Sequence, residues 1–321
     1  MKKLQIKNLN LFITIVMFIL LFTLGSLRYD RFFSLSTFLN LFNNFSYLII
    51  VAVGVTFVLI TGGIDISVSS TVAFTCVFSA FLLQKGWTPL IVIPLVLLIG
   101  ATVGAGIGYI IQYYKIQPFI ASLTGMFFMR GMCAVISTES IPITNKFYMT
   151  MALSKIQFGR AKLYYYVFIA LIIVAIAYFV LKYTRFGRTV YAIGSNAQSA
   201  ELMGLPVARV SVAVYAISGF LAALGGVIFS FFTLAGYSLQ NMGLEMDVIS
   251  SAVIGGTLLT GGVGNVIGTM FGVLIQGVIQ AIVVFQNLNT WWTKVTVAAL
   301  LCLFIVIQRL VLNQTEKKKN I

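Results

Sequence analysis

Residues 45–83 read FSYLIIVAVGVTFVLITGGIDISVSSTVAFTCVFSAFLL, two strongly apolar stretches joined by a glycine-opened turn that carries a lone carboxylate, Asp65. The stretches 45–61 and 66–83 each approach the ~20 residues that an α-helix needs to cross a bilayer core of about 30 Å. No water reaches that core to satisfy backbone N–H and C=O groups, so such runs have to be helical. Outward from this pair the same kind of run recurs at 11–27, 89–111, 119–137, 164–181, 211–234, 248–260, 264–285 and 295–312. The expected fold is an all-α polytopic transmembrane helical bundle, a single membrane domain over 1–321 with about ten membrane segments. The run 248–260 is too short for an upright crossing, which suggests a re-entrant or broken helix and leaves eight to ten crossings.

Composition supports this reading. Of 321 residues, 60% are apolar and 9% charged, whereas soluble domains carry about a quarter charged residues. Mean hydropathy is +1.03. The net charge of +14 would suggest nucleic acid in a soluble protein; in a membrane protein it marks topology and lipid contact, and no nucleic-acid partner is expected. Lys2, Lys3 and Lys7 precede the first run and Lys317, Lys318 and Lys319 follow the last, so both termini are expected in the cytoplasm. On a ten-span count Lys115, Lys182, Arg185, Arg188, Arg209 and Arg309 join them inside. Arg28, Arg31, Lys85, Lys146, Lys155, Arg160, Lys162 and Lys294 fall outside, four of them in the loop 138–163. The N-terminal start resembles a signal peptide, but no A-x-A site follows Gly25-Ser26, and we read a retained first span.

Several chemistries lack their residues. There is no histidine, and Cys76, Cys133 and Cys302 stand far apart without a CxxC pair, so neither a metal site nor a disulfide framework is expected. No GxxxxGK[ST] loop occurs, so any ATP is bound by another chain, and no cofactor is implied. A membrane hydrolase finds no GxSxG elbow and no cysteine nucleophile with a base.

The polar residues inside apolar runs are the candidate site. Asp65 admits two readings: a cap on the third helix, or, with Thr61, Ser67 and Ser69, the lining of a hydrated substrate path. Arg130 sits within residues 127–132, FFMRGM, and has to snorkel, pair with an acid or meet buried carbonyls; solute contact is the other reading. Glu245 and Asp247 lie between the seventh and eighth runs, solvated at an outer mouth or in contact with substrate. Gly100, Gly104, Gly108 and Gly264, Gly268, Gly272 form two rows at four-residue spacing that read as close helix packing. Trp291 and Trp292 read as an interface anchor. LITGGI at 59–64 is echoed by LLTGGV at 258–263, a weak sign of repeated halves.

The longest organised polar stretch is 182–210, KYTRFGRTVYAIGSNAQSAELMGLPVARV. Ser195 and Gln198 have capping-box spacing, and Gly204 with Pro206 supplies a stop, so a short helix at about 196–203 is expected. Such a rigid cytoplasmic helix suits docking on a partner, with an ordinary connector as the alternative. On the other face Lys146, Lys155, Arg160 and Lys162 are either solvated or steer an acidic partner.

GGID at 62–65, RFGRTVYAIGSN at 185–196 and IGGTLLTGGVG at 254–264 together make the chain resemble the permease subunits of bacterial ATP-binding-cassette importers for ribose, xylose, arabinose and galactose. Residues 125–131, 137–143 and 291–294 look most like galactofuranose permeases within that family. The resemblance implies a multi-pass protein of the bacterial inner membrane that is not itself an enzyme. It also implies a second permease subunit, which in the galactofuranose system is a different paralogue, a cytoplasmic ATPase and a periplasmic sugar-binding protein. The family's coupling segment carries onto Arg185 through Leu205, which includes Gly187, Arg188, Ser195, Asn196, Gln198, Ala200, Glu201 and Gly204. Ser69 stands where many relatives have glycine after GGID, which is expected to stiffen the turn. The rival readings are a sister importer for ribose or another pentose, and an ion- or proton-coupled carrier acting alone. The carrier lacks the intramembrane acid chain that proton relays use.

Overall fold

The computed structural model describes residues 2–29, 32–289 and 291–317. Arg31, Lys318 and Lys319, counted above for topology, lie outside them. Among the described residues the fold is an all-α membrane bundle with four very short strands. Its axis is α2 (Leu35–Ile60), which starts where the Ser34 hydroxyl accepts a hydrogen bond from Thr37 N at 3.1 Å. Beyond its polar first turns, which hold Asn40, Asn43 and Asn44, the helix is apolar on nearly every side, and 83% of its most apolar window is buried, against 17% for the corresponding window of α1 (Lys2–Arg28). A helix apolar all round belongs at the centre of a bundle or against lipid, and burial tells the two apart. Around α2 pack α7 (Tyr165–Tyr183), α10 (Val207–Thr233), α11 (Leu244–Ile254) and α12 (Val266–Phe285), while α1, α4 (Pro89–Tyr114) and α5 (Pro118–Ile136) lie further out and, with the outer side of α7, form a rim with exposed apolar faces.

Seven described helices are long and apolar enough to cross a membrane: α1 from Leu11, α2, α4, α5, α7, α10 and α12. Two further apolar helices are shorter, α3 (Val68–Gln84) and the segment Trp291–Leu303 of α13 (Trp291–Lys317). The eighth run, 248–260, holds only the end of α11, whose 11 residues rise about 16 Å. It stops at Ile254 because Gly256 turns the chain at φ +90°, so the expected short eighth span is a half-helix followed by the irregular loop 255–265. The third helix also starts later than expected. Its N-cap is Ser67, which makes no side-chain capping bond, and not Asp65.

Glycine rows set the close crossings. A Cβ on Gly108 of α4 would lie 3.0 Å from Val212 Cα of α10, and one on Gly100 would lie 2.6 Å from the Gly219 carbonyl oxygen. The two backbones touch, and dispersion replaces the missing side chains. On α12, Gly268 and Gly272 make the same approach to Gly255 and Ser251. Gly264 departs from the expected row: it precedes the helix, whose N-cap is Asn265, and packs against Ile60.

The loop 138–163 is structured. It contains β1 (Ile141–Pro142), α6 (Lys146–Leu153) and the hairpin β2 (Lys155–Phe158) with β3 (Ala161–Tyr164), while β1 pairs antiparallel with β4 (Ala235–Gly236). Asn43 of α2 staples the hairpin down, its amide donating to Lys162 O at 2.8 Å and accepting from Tyr164 N at 3.1 Å. Lys146, Lys155, Arg160 and Lys162 stay exposed on this face.

Candidate functional site

The stretch after α7 folds into two helices where one was expected. Thr184 caps α8 (Arg185–Ser195) by accepting from Gly187 N at 3.1 Å, and Asn196 caps α9 (Ala197–Leu202) by accepting from Ser199 N at 2.8 Å. The expected Ser195–Gln198 capping box does not form. Ser195 belongs to the last turn of α8 and its hydroxyl donates back to Tyr191 O, whereas Asn196 has the extended backbone that a cap requires. At the far end Gly204 takes φ +75°, and Gly204 N to Glu201 O with Leu205 N to Ala200 O, 2.9 and 3.1 Å, close a Schellman turn. Gly187 is buried against the end of α7 and Ala200 is fully buried, while Arg185, Arg188, Gln198 and Glu201 face outward. Leu202 and Met203 are 84% and 69% exposed, an apolar tip on an otherwise polar segment.

The other face of α8 meets both halves of the sequence echo. Gly62, Gly261 and Gly262 all adopt positive φ, from +76 to +81°, which only glycine takes without strain. Gly262 N donates to Ile60 O at 2.8 Å, so the loop after α11 is bonded to the end of α2. Gly194 of α8 sits on that hydrogen bond: a Cβ there would overlap the Ile60 carbonyl oxygen and lie 2.5 Å from Gly262 N. Tyr191 OH adds a bond to Gly264 O at 2.8 Å. Residues 59–64 and 258–263, about 200 apart in sequence, thus form one junction under α8.

From that junction the chain turns back into the bundle and reaches α3 through Asp65. The carboxylate is fully buried; Oδ1 accepts from Ser67 N (3.0 Å) and Ser67 Oγ (2.6 Å), and Oδ2 accepts from Ser218 Oγ of α10 at 2.7 Å. Charge-assisted bonds of this kind are how a buried carboxylate is accommodated. Thr61 Oγ1 donates to Val58 O at 2.7 Å at the end of α2. Ser67 and Ser69 are buried, and Ser69 Oγ has no hydrogen-bond partner. Ser69 lies inside α3 and is not among the positive-φ residues, so serine at this position introduces no backbone strain.

Arg130 of α5 meets buried carbonyls: Nη1 donates to Ser238 O and to Gln240 O, both at 2.8 Å. Glu245 and Asp247 occupy the first turn of α11, where the helix dipole favours negative charge. The backbone carbonyl of Asp247 accepts from Ser251 Oγ and from Gln276 Nε2 of α12, each at 2.9 Å. Asp247 borders a cavity of about 390 Å³ together with Tyr47, Gln276, Gln280, Trp291 and Lys294. A second cavity of about 440 Å³ shares Phe45, Tyr47 and Gln280 with it and adds Asn40 and Asn44. Of the sequence-derived path residues only Asp247 reaches these cavities; Asp65, Ser67 and Ser69 are buried where α3 packs against α10 and α5, and Arg130 anchors residues 238–240. The amides were missed. Their signal was legible, since Asn40, Asn44 and Tyr47 recur at i, i+4 and i+7, and Gln276 and Gln280 at i and i+4, within otherwise apolar helices.

Comparison with known proteins bears on the whole of this arrangement. A family model described as "Branched-chain amino acid transport system / permease component" matches residues 37–306. The inner membrane ABC transporter permease protein YjfF of Escherichia coli K12 is 45% identical, over 94% of this chain and 92% of its own. The fructose import permease protein FruG of Bifidobacterium longum is 36% identical, over 95% and 92%. The ribose import permease protein RbsC of Haemophilus influenzae is 34% identical, over 90% of each chain. No solved structure matches the chain. The match spans α2 to α13, including both glycine loops and α8–α9, and the chain is a multi-pass inner-membrane protein and a transport subunit rather than an enzyme: it belongs to the family of ABC transport-system permease components.

Proposed function

We propose that the chain is the pore-forming subunit of an ATP-driven importer for a free monosaccharide, of the ribose kind rather than galactofuranose in particular. The observation that carries this reading is the α8–α9 segment, which presents an exposed apolar tip at Leu202 and Met203 on one side and holds Gly194 against both glycine loops on the other. An ATPase docked on the tip would act on the ends of α2 and α12 through this contact. The importer names of two relatives, one for ribose and one for fructose, support the substrate class. The galactofuranose reading rests on the resemblance of residues 125–131, 137–143 and 291–294 and is the second reading.

In this arrangement the α8–α9 end and both termini are cytoplasmic, the ten apolar segments belong to the membrane region, and a second permease subunit completes the pore. A periplasmic binding protein delivers the sugar to the opposite face, where Lys146, Lys155, Arg160 and Lys162 are exposed for an acidic partner. The test is uptake of labelled ribose, fructose and galactofuranose in cells that express the chain with its neighbouring transport genes, with and without a catalytically dead ATPase. Sugar uptake that depends on the live ATPase is expected, with ribose or fructose accepted. Undiminished uptake with the dead ATPase would favour the ion-coupled carrier, and uptake of galactofuranose alone would restore the narrower reading.

A further inference from the structure

The search for further sites leads to the paired cavities at the end of the bundle opposite α8–α9. Asn40, Asn44 and Gln280 are exposed although they lie on helices that are otherwise apolar. A primary amide turned towards lipid is costly, and polar groups at membrane depth normally face a hydrated interior. Here they converge. Gln280 borders both cavities, Asn40 and Asn44 border the larger, and Asp247 with Gln276 borders the smaller. Asn43, the neighbouring amide on α2, is buried and holds the β2–β3 hairpin, and it also donates to Asn40 Oδ1 at 3.4 Å, so Asn40 is tied to the structural amide while Asn44 and Gln280 carry the cavity set. Between the cavities stand Phe45 and Tyr47, and Trp291 closes the smaller one.

The chemistry of this lining identifies a class of ligand. Amides donate to and accept from hydroxyls, a carboxylate accepts from them, and aromatic faces receive the apolar C–H face of a ring. Among the described residues Lys294 is the only cation on either lining, and Asp247 shares its cavity, whereas phosphate recognition uses clustered Arg or Lys. The volumes, about 440 and 390 Å³, fall within the ~300–1,000 Å³ typical of small-molecule sites. We infer that this paired cavity is the outer sugar subsite of the permease, taking an uncharged monosaccharide whose hydroxyls bond Asn44, Gln280 and Asp247 while its ring lies against Tyr47 or Trp291. The inference rests on the importer reading above and adds residues to it that neither the resemblance nor the family match assigns.

The test uses the assembled permease–ATPase complex in a Cys302→Ser background, because Cys302 is the exposed cysteine among the three. Asn44→Cys is labelled with a membrane-impermeant maleimide in the presence of D-ribose, D-fructose or ribose 5-phosphate at millimolar concentration, with Glu139→Cys as an exposed control outside the cavity. Protection of Asn44→Cys by at least one free sugar, none by the phosphate and no change at Glu139→Cys is expected. In proteoliposomes with the binding protein, Gln280→Ala is expected to lower the sugar moved per ATP hydrolysed about tenfold, the worth of one hydrogen bond to a hydroxyl, with normal binding-protein-stimulated ATPase activity. Absence of protection by either sugar, equal protection by the phosphate, or a Gln280→Ala variant that transports normally or loses ATPase and transport together, overturns the subsite. A wild-type complex that hydrolyses ATP but moves no sugar refutes instead the importer reading on which it stands.

Discussion

Replacing Gly194 by alanine adds one methyl group at the point where α8 presses on both glycine loops. Helix propensity alone favours the change, since alanine exceeds glycine by about 1 kcal/mol inside a helix, and Gly194 lies within α8. The junction opposes it. The new Cβ would overlap the Ile60 carbonyl oxygen and stand 2.5 Å from Gly262 N, where Cβ contacts below 3.0 Å do not persist. Relief therefore needs a separation of at least ~0.5 Å at Gly262 and more at Ile60, and the methyl intrudes on the Gly262 N to Ile60 O bond itself. Loss of that buried bond costs about 1–3 kcal/mol if its groups are left unpaired, which exceeds the propensity gain. We expect Gly194→Ala to insert normally, to retain the ATPase on co-purification because the α9 tip is untouched, and to lose at least tenfold in ATP-driven sugar uptake. The control is Gly204→Ala, where a Cβ meets open space and the cost is the positive φ of +75° alone, about 1–2 kcal/mol. Uptake in Gly194→Ala equal to wild type at matched membrane abundance would refute the idea that α8 drives the loops through this contact.

Further outcomes follow from the same geometry. Ala200→Pro removes the Ala200 N to Asn196 O bond inside a helix of six residues at about 3 kcal/mol, so ATPase co-purification and uptake should both fall while the membrane spans persist; Gln198→Glu, on the exposed face, should leave both unchanged. Asp65→Ala strands the Ser67 N–H and the Ser218 hydroxyl in a buried site, about 1–3 kcal/mol for each orphaned group, and should lower the detergent unfolding midpoint and uptake together, whereas Asp65→Asn keeps an acceptor and is milder. Arg130→Met leaves the Ser238 and Gln240 carbonyls without their shared donor, so labelling of a cysteine placed at exposed Leu239 should rise; unchanged labelling and stability would show that Arg130 is not what holds this segment.

The resemblance named the transport family before any geometry, but it assigned neither the cavity amides nor the contact partners of α8. Asp65 shows the limit within a single residue. Its local role, accepting from Ser67 N two residues on, is legible because it depends on adjacent chain; its tie to Ser218, 153 residues away, is not. Asn196 shows a smaller error of the same kind, since two candidate caps stood side by side and the choice depended on where the packing of α8 ended. The echo of residues 59–64 and 258–263, in the sequence only a weak sign of repeated halves, becomes a packing junction because the fold places both against Gly194. By itself the sequence determined that this chain is a helical membrane bundle and roughly where each helix runs, because hydrocarbon leaves a backbone no other way to satisfy its hydrogen bonds over runs of bilayer length. Only the tertiary structure decided which faces meet, and with them the glycine junction and the amide-lined cavity, because helices apolar on all sides carry little periodicity to show which side is inward and their register is set by close backbone packing between segments distant in the chain.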